Sequence, residues 1–257
     1  MLRGLLQVLL LIAAALLRTG NVAAFSCDGR VAQYLNTISL DLPTKSRETL
    51  LLIPDEGRRL LATRAYLRNR DSLAERWSWS ADEIAAYQRS DEHRTALAEI
   101  AGITARFEQL NPGYTLYVNS QVRSLNTQIE RWNENPTVGR AASQLSHAAR
   151  GECSNNAYRH LGAQAAVRFA AFLQSWRPAA NPTLAAPGLS RHGQGRAFDF
   201  QIQQGSTLIA GTDTASIDRW DQAGWTQKLN DAVTSASARF SGPLRSPREP
   251  WHYEYRP

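Results

Sequence analysis

Three features of the sequence predict an α+β fold. Apolar residues recur at helical spacing through most of residues 55 to 110. Short β-branched and aromatic runs follow near 114–118, 197–202 and 250–255, with further helical patterns between them. The glycine fingerprint of a doubly wound dinucleotide fold is missing, so helices and strands interleave without the mark of a parallel nucleotide-binding sheet. With 43% hydrophobic and 20% charged residues over 257 positions, the chain has the composition of a globular protein with a sizeable core, which excludes a disordered or fibrous one.

The first segment reads as a secretory signal. Met1-Leu2-Arg3 is a short basic start, Gly4 to Leu17 is an almost unbroken apolar run, and Val22-Ala23-Ala24 places small residues where a signal peptidase cuts. The run is about 14 residues, short of the roughly 20 that span a bilayer, so residues 1–24 are expected to be removed and no membrane insertion to remain. A lipid anchor on Cys27 is the weaker reading, because Ala24-Phe25-Ser26 puts a bulky Phe in the cleavage box and lacks the usual leucine. The expected location is the periplasm, the cell wall or the extracellular space.

Charge is modest once the signal is removed. The formal +6 loses Arg3 and Arg18 and no acid, leaving a mature net charge of +4. No basic arm or zinc-finger spacing is present, so nucleic acid is not an expected partner. Cys27 and Cys153 are the two cysteines, both in the exported part, where an even pair is expected to form a disulfide. Closing a loop of that length stabilises by about 4 to 5 kcal/mol in the chain-entropy model.

Residues 28 to 53 mix apolar and polar residues around Pro43 and give no decisive period. From Asp55 the pattern turns helical, with Leu60, Leu61, Ala65 and Leu67 near one face, and Ser80-Ala81-Asp82-Glu83 is a capping box that opens a second helix. Asp91 to Leu110 reads as a third, stopped by Asn111-Pro112-Gly113. His93 lies among its charges and reads as a solvated surface histidine. Tyr114 to Val118 is a strand, and Ser120 to Ser124 is a bend into helices at about 126–150 and 155–175. His147 and His160 fall in those helices without partners and read as structural. A proline-rich loop, Pro178 to Pro187, leads to a strand at Ala197–Ile202, then to an amphipathic helix from Gly224 to Phe240 and a last strand at Pro250–Tyr255.

The informative stretch is Ser190-Arg191-His192-Gly193-Gln194-Gly195-Arg196-Ala197-Phe198-Asp199-Phe200. Strand alternation sends Phe198, Phe200 and Ile202 to one face and Ala197, Asp199 and Gln201 to the other, leaving the Asp199 carboxylate in a cleft. Gly193 and Gly195 let the backbone turn tightly, so His192 and Asp199 can meet one ion. In Glu249-Pro250-Trp251-His252, alternation sets His252 opposite Trp251 and Tyr253, facing the same cleft. Two histidines and an aspartate leave a fourth coordination position open, the arrangement of catalytic rather than structural zinc. Glu249 is placed to move a proton without being a ligand, although pairing with Arg248 at the surface is the plain alternative.

Ser190-x-His192-x-x-Gly195-x-Ala197-x-Asp199, followed some fifty residues later by Glu249-Pro250-Trp251-His252, resembles the zinc D-alanyl-D-alanine carboxypeptidase (VanY-type) family. That family includes vancomycin-resistance carboxypeptidases and phage L-alanyl-D-glutamate endopeptidases, and shares a fold with the hedgehog signalling domain. The five fixed positions of the first motif match by chance about once in ten thousand chains of this length. The resemblance spans roughly Tyr114 to Tyr255, leaves outside it the helical region expected at 25–110, and implies a small antiparallel sheet flanked by helices in a catalytic domain at 111–257. It implies His192, Asp199 and His252 as zinc ligands, Glu249 as general base and acid, and Arg123 as the cation that meets the polarised carbonyl oxygen. Arg123 follows Gln121-Val122, where the family more often has Gly-Tyr. Ser190 matches a substrate-contacting position, and Gln128 a glutamine five residues after the arginine, assigned to substrate contact or support of the site.

The expected function is an exported zinc peptidase that hydrolyses peptidoglycan stem peptides, foremost the D-alanyl-D-alanine bond. The motifs are shared by carboxypeptidases and endopeptidases, so both activities stay open. A protein of another class, a cell-wall or partner-binding module that keeps the metal and has no turnover, is opposed by the retained Glu249.

Overall fold

The computed structural model describes residues 27–155, 158 and 162–257, apart from the side chain of Asp28. The expected signal segment and His160 lie outside the described residues. Among the described residues no helix is long and apolar enough to cross a membrane.

The fold is α+β, a small antiparallel sheet flanked by helices. Residues 28 to 53, which showed no decisive period, form α1 (Cys27–Ser39) and α2 (Thr44–Leu51). In α1 the buried positions are Val31, Tyr34, Leu35 and Ile38, an i, i+3, i+4, i+7 stripe too short to stand out from its polar neighbours. Helix α3 (Glu56–Arg68) starts at Asp55, whose carboxylate accepts the Arg58 N–H at 2.7 Å. A 3₁₀ turn and the single-turn α4 (Leu73–Arg76) lead to α5 (Ala81–Gln88), which carries the expected capping box. Helix α6 (Asp91–Leu110) has the expected bounds, with Ser90 capping the His93 N–H.

After β1 (Thr115–Val118), Ser124 caps α7 (Leu125–Glu134). The helix expected over 126–150 is two helices, because Pro136 cannot donate into a continuing ladder and Asn135 caps α8 (Pro136–Cys153) through the N–H groups of Thr137 and Val138. Helix α9 (Ala163–Ser175) follows. Strand β2 (Ala197–Gln204) turns into β3 (Thr207–Ala210), then come α10 (Ile217–Gln222) and α11 (Trp225–Ala236). The helix expected to reach Phe240 ends at Ala236, and Phe240 belongs to β4 (Phe240–Ser241), paired with Tyr255 of β5 (His252–Tyr255).

All strand pairs are antiparallel, in the order β1-β2-β5-β4 with β3 also on β2. The register that sets the site is β2 on β5, with Asp199 opposite His252 and Ala197 opposite Glu254.

Among the described residues two apolar cores form, and they are partitioned differently from a boundary at residue 110. One joins α1–α4 to α7, α8 and α9 through residues such as Tyr34, Leu60, Tyr66, Leu145, Phe169 and Leu189. The other packs α6, α10 and α11 on the sheet through Ile103, Phe107, Phe200, Trp220, Leu229 and Tyr253. Each such fully buried side chain is worth roughly 1.5–3 kcal/mol. The close crossing of α3 on α8 depends on Gly57, where a Cβ would sit 2.7 Å from the Ala142 carbonyl oxygen.

The expected disulfide is not formed, and Cys27 and Cys153 are both thiols. Cys27 Sγ is engaged by Arg30 Nη2 at 3.2 Å and lies 3.4 Å from Ser154 Oγ, while Cys153 is fully buried in the first core. Spacing along a chain does not decide whether two thiols adopt the geometry of a bridge.

Candidate metal centre

Strand β2 delivers Asp199 as the alternation predicts. Phe198 and Phe200 are buried in the second core, and Asp199 between them turns to the opposite face. On β5, Trp251 and Tyr253 are likewise buried, and His252 faces Asp199 across the pair. His192 comes from a 3₁₀ turn, Arg191–Gln194, closed by Gly195 at φ 60°, a left-handed conformation that favours glycine.

That turn is braced by the helical region before residue 111. The Trp79 N–H donates to the Gly193 carbonyl at 2.8 Å and the Ser78 N–H to that of Gly188 at 2.9 Å. The Gln194 side chain donates to the carbonyls of Glu75 (2.6 Å) and Trp77 (3.1 Å), and the Tyr87 hydroxyl donates to that of Gly195 (3.3 Å). A Cβ on Gly193 would stand 2.6 Å from Gln128 Nε2 and closer still to Ser78 Oγ, so the loop fits only without a side chain. These braces escaped sequence reasoning, since Ser78 and Trp79 lie in the irregular link between α4 and α5, Tyr87 lies near the end of α5, and only the tertiary fold brings them to the loop.

His93 does not stand in solvent as expected. Its ring packs edge-on to Tyr87, centroids 4.9 Å apart, because Tyr87 fills the space behind Gly195. His147 is exposed on α8, away from the cleft.

His192, Asp199 and His252 come together, their candidate ligand atoms all within 4.8 Å of one another. His252 Nδ1 lies 3.0 Å from Asp199 Oδ1, and His192 Nε2 lies 3.4 Å from Asp199 Oδ2. The imidazole planes stand at 74° with centroids 5.0 Å apart. Tetrahedral ligands at about 2.0–2.2 Å from zinc stand about 3.3 Å from each other, so these separations suit one small cation. The cluster can hold a metal ion.

The electrostatics fit that use. Burial alone would raise the Asp199 carboxyl, but hydrogen bonds from His192 and His252 hold it well below the usual carboxylate range. Burial lowers His192 despite Asp199 beside it, whereas for His252 the Asp199 and Glu249 carboxylates overcome burial and raise it.

Glu249 and Arg123 flank the group. The Glu249 N–H donates to the Leu244 carbonyl at 3.0 Å, and its own carbonyl accepts the His252 N–H at 3.1 Å. This turn sets Glu249 Oε2 3.6 Å from His252 Nδ1. Burial pushes the Glu249 carboxyl up from 4.5 to about 7; the Asp199 charge adds to this, and His252 and Arg123 oppose it. The alternative partner, Arg248, pairs instead with Asp221. Arg123 Nη2 stands 3.8 Å from Asp199 Oδ2, and its backbone N–H donates to the His192 carbonyl at 3.0 Å.

All of these side chains line one cleft of about 580 Å³. Ser190 lies in it with its hydroxyl unbonded to protein among the described residues. Gln128 is also there, but its amide is committed to protein. Its Nε2 donates to Ser78 Oγ (2.8 Å) and the Arg123 carbonyl (2.9 Å), and its Oε1 accepts the Gly188 N–H (3.0 Å). Of the two roles open to Gln128, these bonds fit support of the site. In comparisons with known proteins, no family model, no curated protein and no solved structure matches the chain.

Proposed function

We propose that the protein is an exported zinc peptidase that hydrolyses peptidoglycan stem peptides, foremost the terminal D-alanyl-D-alanine bond. The observation that carries this reading is the convergence of His192, Asp199 and His252 at ligand distances with Glu249 and Arg123 beside them in one cleft. Both motifs behind the family resemblance meet at that point, and the antiparallel sheet flanked by helices accords with the hedgehog and D-alanyl-D-alanine peptidase fold it implies.

His192, Asp199 and His252 would hold zinc, which supplies a Lewis acid for the scissile carbonyl and makes water acidic enough to attack at neutral pH. Glu249, a largely buried carboxyl 3.6 Å from His252 and outside the ligand group, accepts the proton of the attacking water and returns it to the leaving amine. Arg123 donates to the carbonyl oxygen as it gains negative charge. Gln128 and the Ser78–Gly188 backbone contact keep Arg123 and His192 in register, and the Ser190 hydroxyl is free to bind the peptide. The signal-like residues 1–24 support export to the compartment where this substrate resides.

The test is incubation of purified protein, with zinc and with chelator, with a pentapeptide ending in D-alanyl-D-alanine and with cross-linked muropeptides. Chelator-sensitive release of D-alanine supports the carboxypeptidase, and cleavage of the cross-link alone supports an endopeptidase. Failure of metal-loaded protein to cut either substrate rejects the peptidase.

A further inference from the structure

The cleft carries more positive charge than hydrolysis uses. Arg76, Arg123, Arg131 and Arg191 all line it, against the carboxylates of Asp199, Asp213, Glu249 and Glu254; with Arg123, Asp199 and Glu249 given to catalysis and Asp213 bonded to Ser216, three arginines face Glu254. Arg123 answers to Asp199, but among the described residues neither Arg76 nor Arg191 has a carboxylate at ion-pair distance. Arg76 donates from Nη1 to Asn69 Oδ1 at 2.6 Å, and its buried Nε has no acceptor. Arg191 makes one long bond, 3.4 Å, to Gln194 Oε1. Gln194, which holds Arg191 Nη1, donates its own amide to the carbonyls of Glu75 and Trp77 on either side of Arg76, so the two arginines stand on adjoining segments of the cleft wall. Burial first and Arg191 second make Arg76 harder to keep charged, and Glu254 opposes them.

Like charges gathered in a partly desolvated cleft cost free energy that a bound anion recovers, and the planar guanidinium matches a carboxylate bidentately. Register places the pair along the cleft. The Arg191 carbonyl accepts the Arg196 N–H at 3.0 Å and the Arg196 carbonyl accepts the Tyr255 N–H at 3.0 Å, beside the Ala197–Glu254 pair, which lies two residues along both strands from Asp199–His252. That is about 7 Å, the length of two residues of extended peptide.

We infer that Arg76 and Arg191 form a carboxylate subsite about two residues from the bond that is cut, which makes the substrate an acidic peptide. The inference rests on the peptidase reading above and deepens it. Arg76 belongs to the helical region before residue 111, outside the span of the family resemblance, so that region supplies specificity as well as bracing.

The test uses a pentapeptide ending in D-alanyl-D-alanine with diaminopimelate as its third residue, the side-chain carboxylate either free or amidated. In the unsubstituted protein kcat/KM for the free acid exceeds that for the amide by about tenfold or more, a difference worth about 1.4 kcal/mol. Arg76→Gln and Arg191→Gln each bring that ratio toward one, chiefly through KM, whereas Arg47→Gln, outside the cleft, leaves it unchanged. Because the ratio is taken within each variant, a partial loss of folded protein cancels. A ratio near one in the unsubstituted protein, or one preserved in both variants, overturns the inference. Calorimetric binding of the two peptides to Glu249→Gln protein, which requires no turnover, separates the two claims. Acid-selective binding without hydrolysis by the unsubstituted protein would reject the peptidase and keep the subsite, and hydrolysis indifferent to amidation would do the reverse.

Discussion

Replacing Glu249 with Gln separates proton transfer, metal binding and stability, three properties that meet in one side chain. Its carboxylate is only 16% exposed and stands 3.6 Å from His252 Nδ1. Burial raises its pKa from 4.5 to about 7, so at pH 8 the folded metal-free protein holds a charge that the unfolded chain solvates better. Each unit is about 1.4 kcal/mol, so the ionised carboxylate costs the fold up to about 3 kcal/mol. The stability linked to protonation is fully present below pH 4.5 and is lost as the pH rises through 7. Metal-free Glu249→Gln should therefore be more stable than its parent by up to about 3 kcal/mol at pH 8, with no difference at pH 4. Urea unfolding of chelated protein at the two pH values measures this. Hydrolysis by the zinc-loaded variant should fall by about 10² to 10⁴, while zinc stoichiometry is retained because Glu249 is outside the ligand group. Equal stability of variant and parent at pH 8 would show a solvated carboxylate, and loss of zinc would show a ligand. Either result refutes the reasoning.

Three further outcomes are expected. Asp199→Asn or His252→Ala should abolish retention of zinc on dialysis, measured by elemental analysis, since each removes one of three donors and Asp199 faces both histidines. Arg123→Gln should lower kcat by about 10² to 10³ with zinc retained, read by D-alanine release, if the side chain meets the developing oxyanion as proposed. Protein unfolded without reductant should take up two equivalents of iodoacetamide. In the native state Cys153, buried and with its thiol pushed up to about 11, should stay unmodified at pH 8, as mass spectrometry would show; no alkylation of the unfolded chain would restore the disulfide.

What the sequence made legible was set by local chemistry. Helix α6 and the capping box of α5 could be read because caps and turn residues act within a few positions of themselves. Asp199 and His252 could be placed because period-two alternation ties a polar face to an apolar one that must be buried. Strand β3 is the four-residue return arm of a hairpin through Gly205-Ser206, too short for its period to show, and β4 has two residues and exists because Phe240 and Ser241 pair with β5. The break at Asn135-Pro136 was signalled locally but hidden by apolar positions on both sides of it. The bracing of His192 by Ser78, Trp79 and Tyr87 and the mutual approach of Arg76 and Arg191 depend on tertiary contacts that no spacing encodes.

The two apolar cores have a consequence for how the chain comes apart. His192 sits on a turn fastened to the first core through Gln194 and the backbone of Trp77 and Trp79, whereas Asp199 and His252 stand on strands whose other faces form the second. A cation held by all three would be a rivet through the seam, bound only while both halves are folded. Its binding free energy would stabilise them jointly, and metal content would then decide whether the halves unfold together or in sequence.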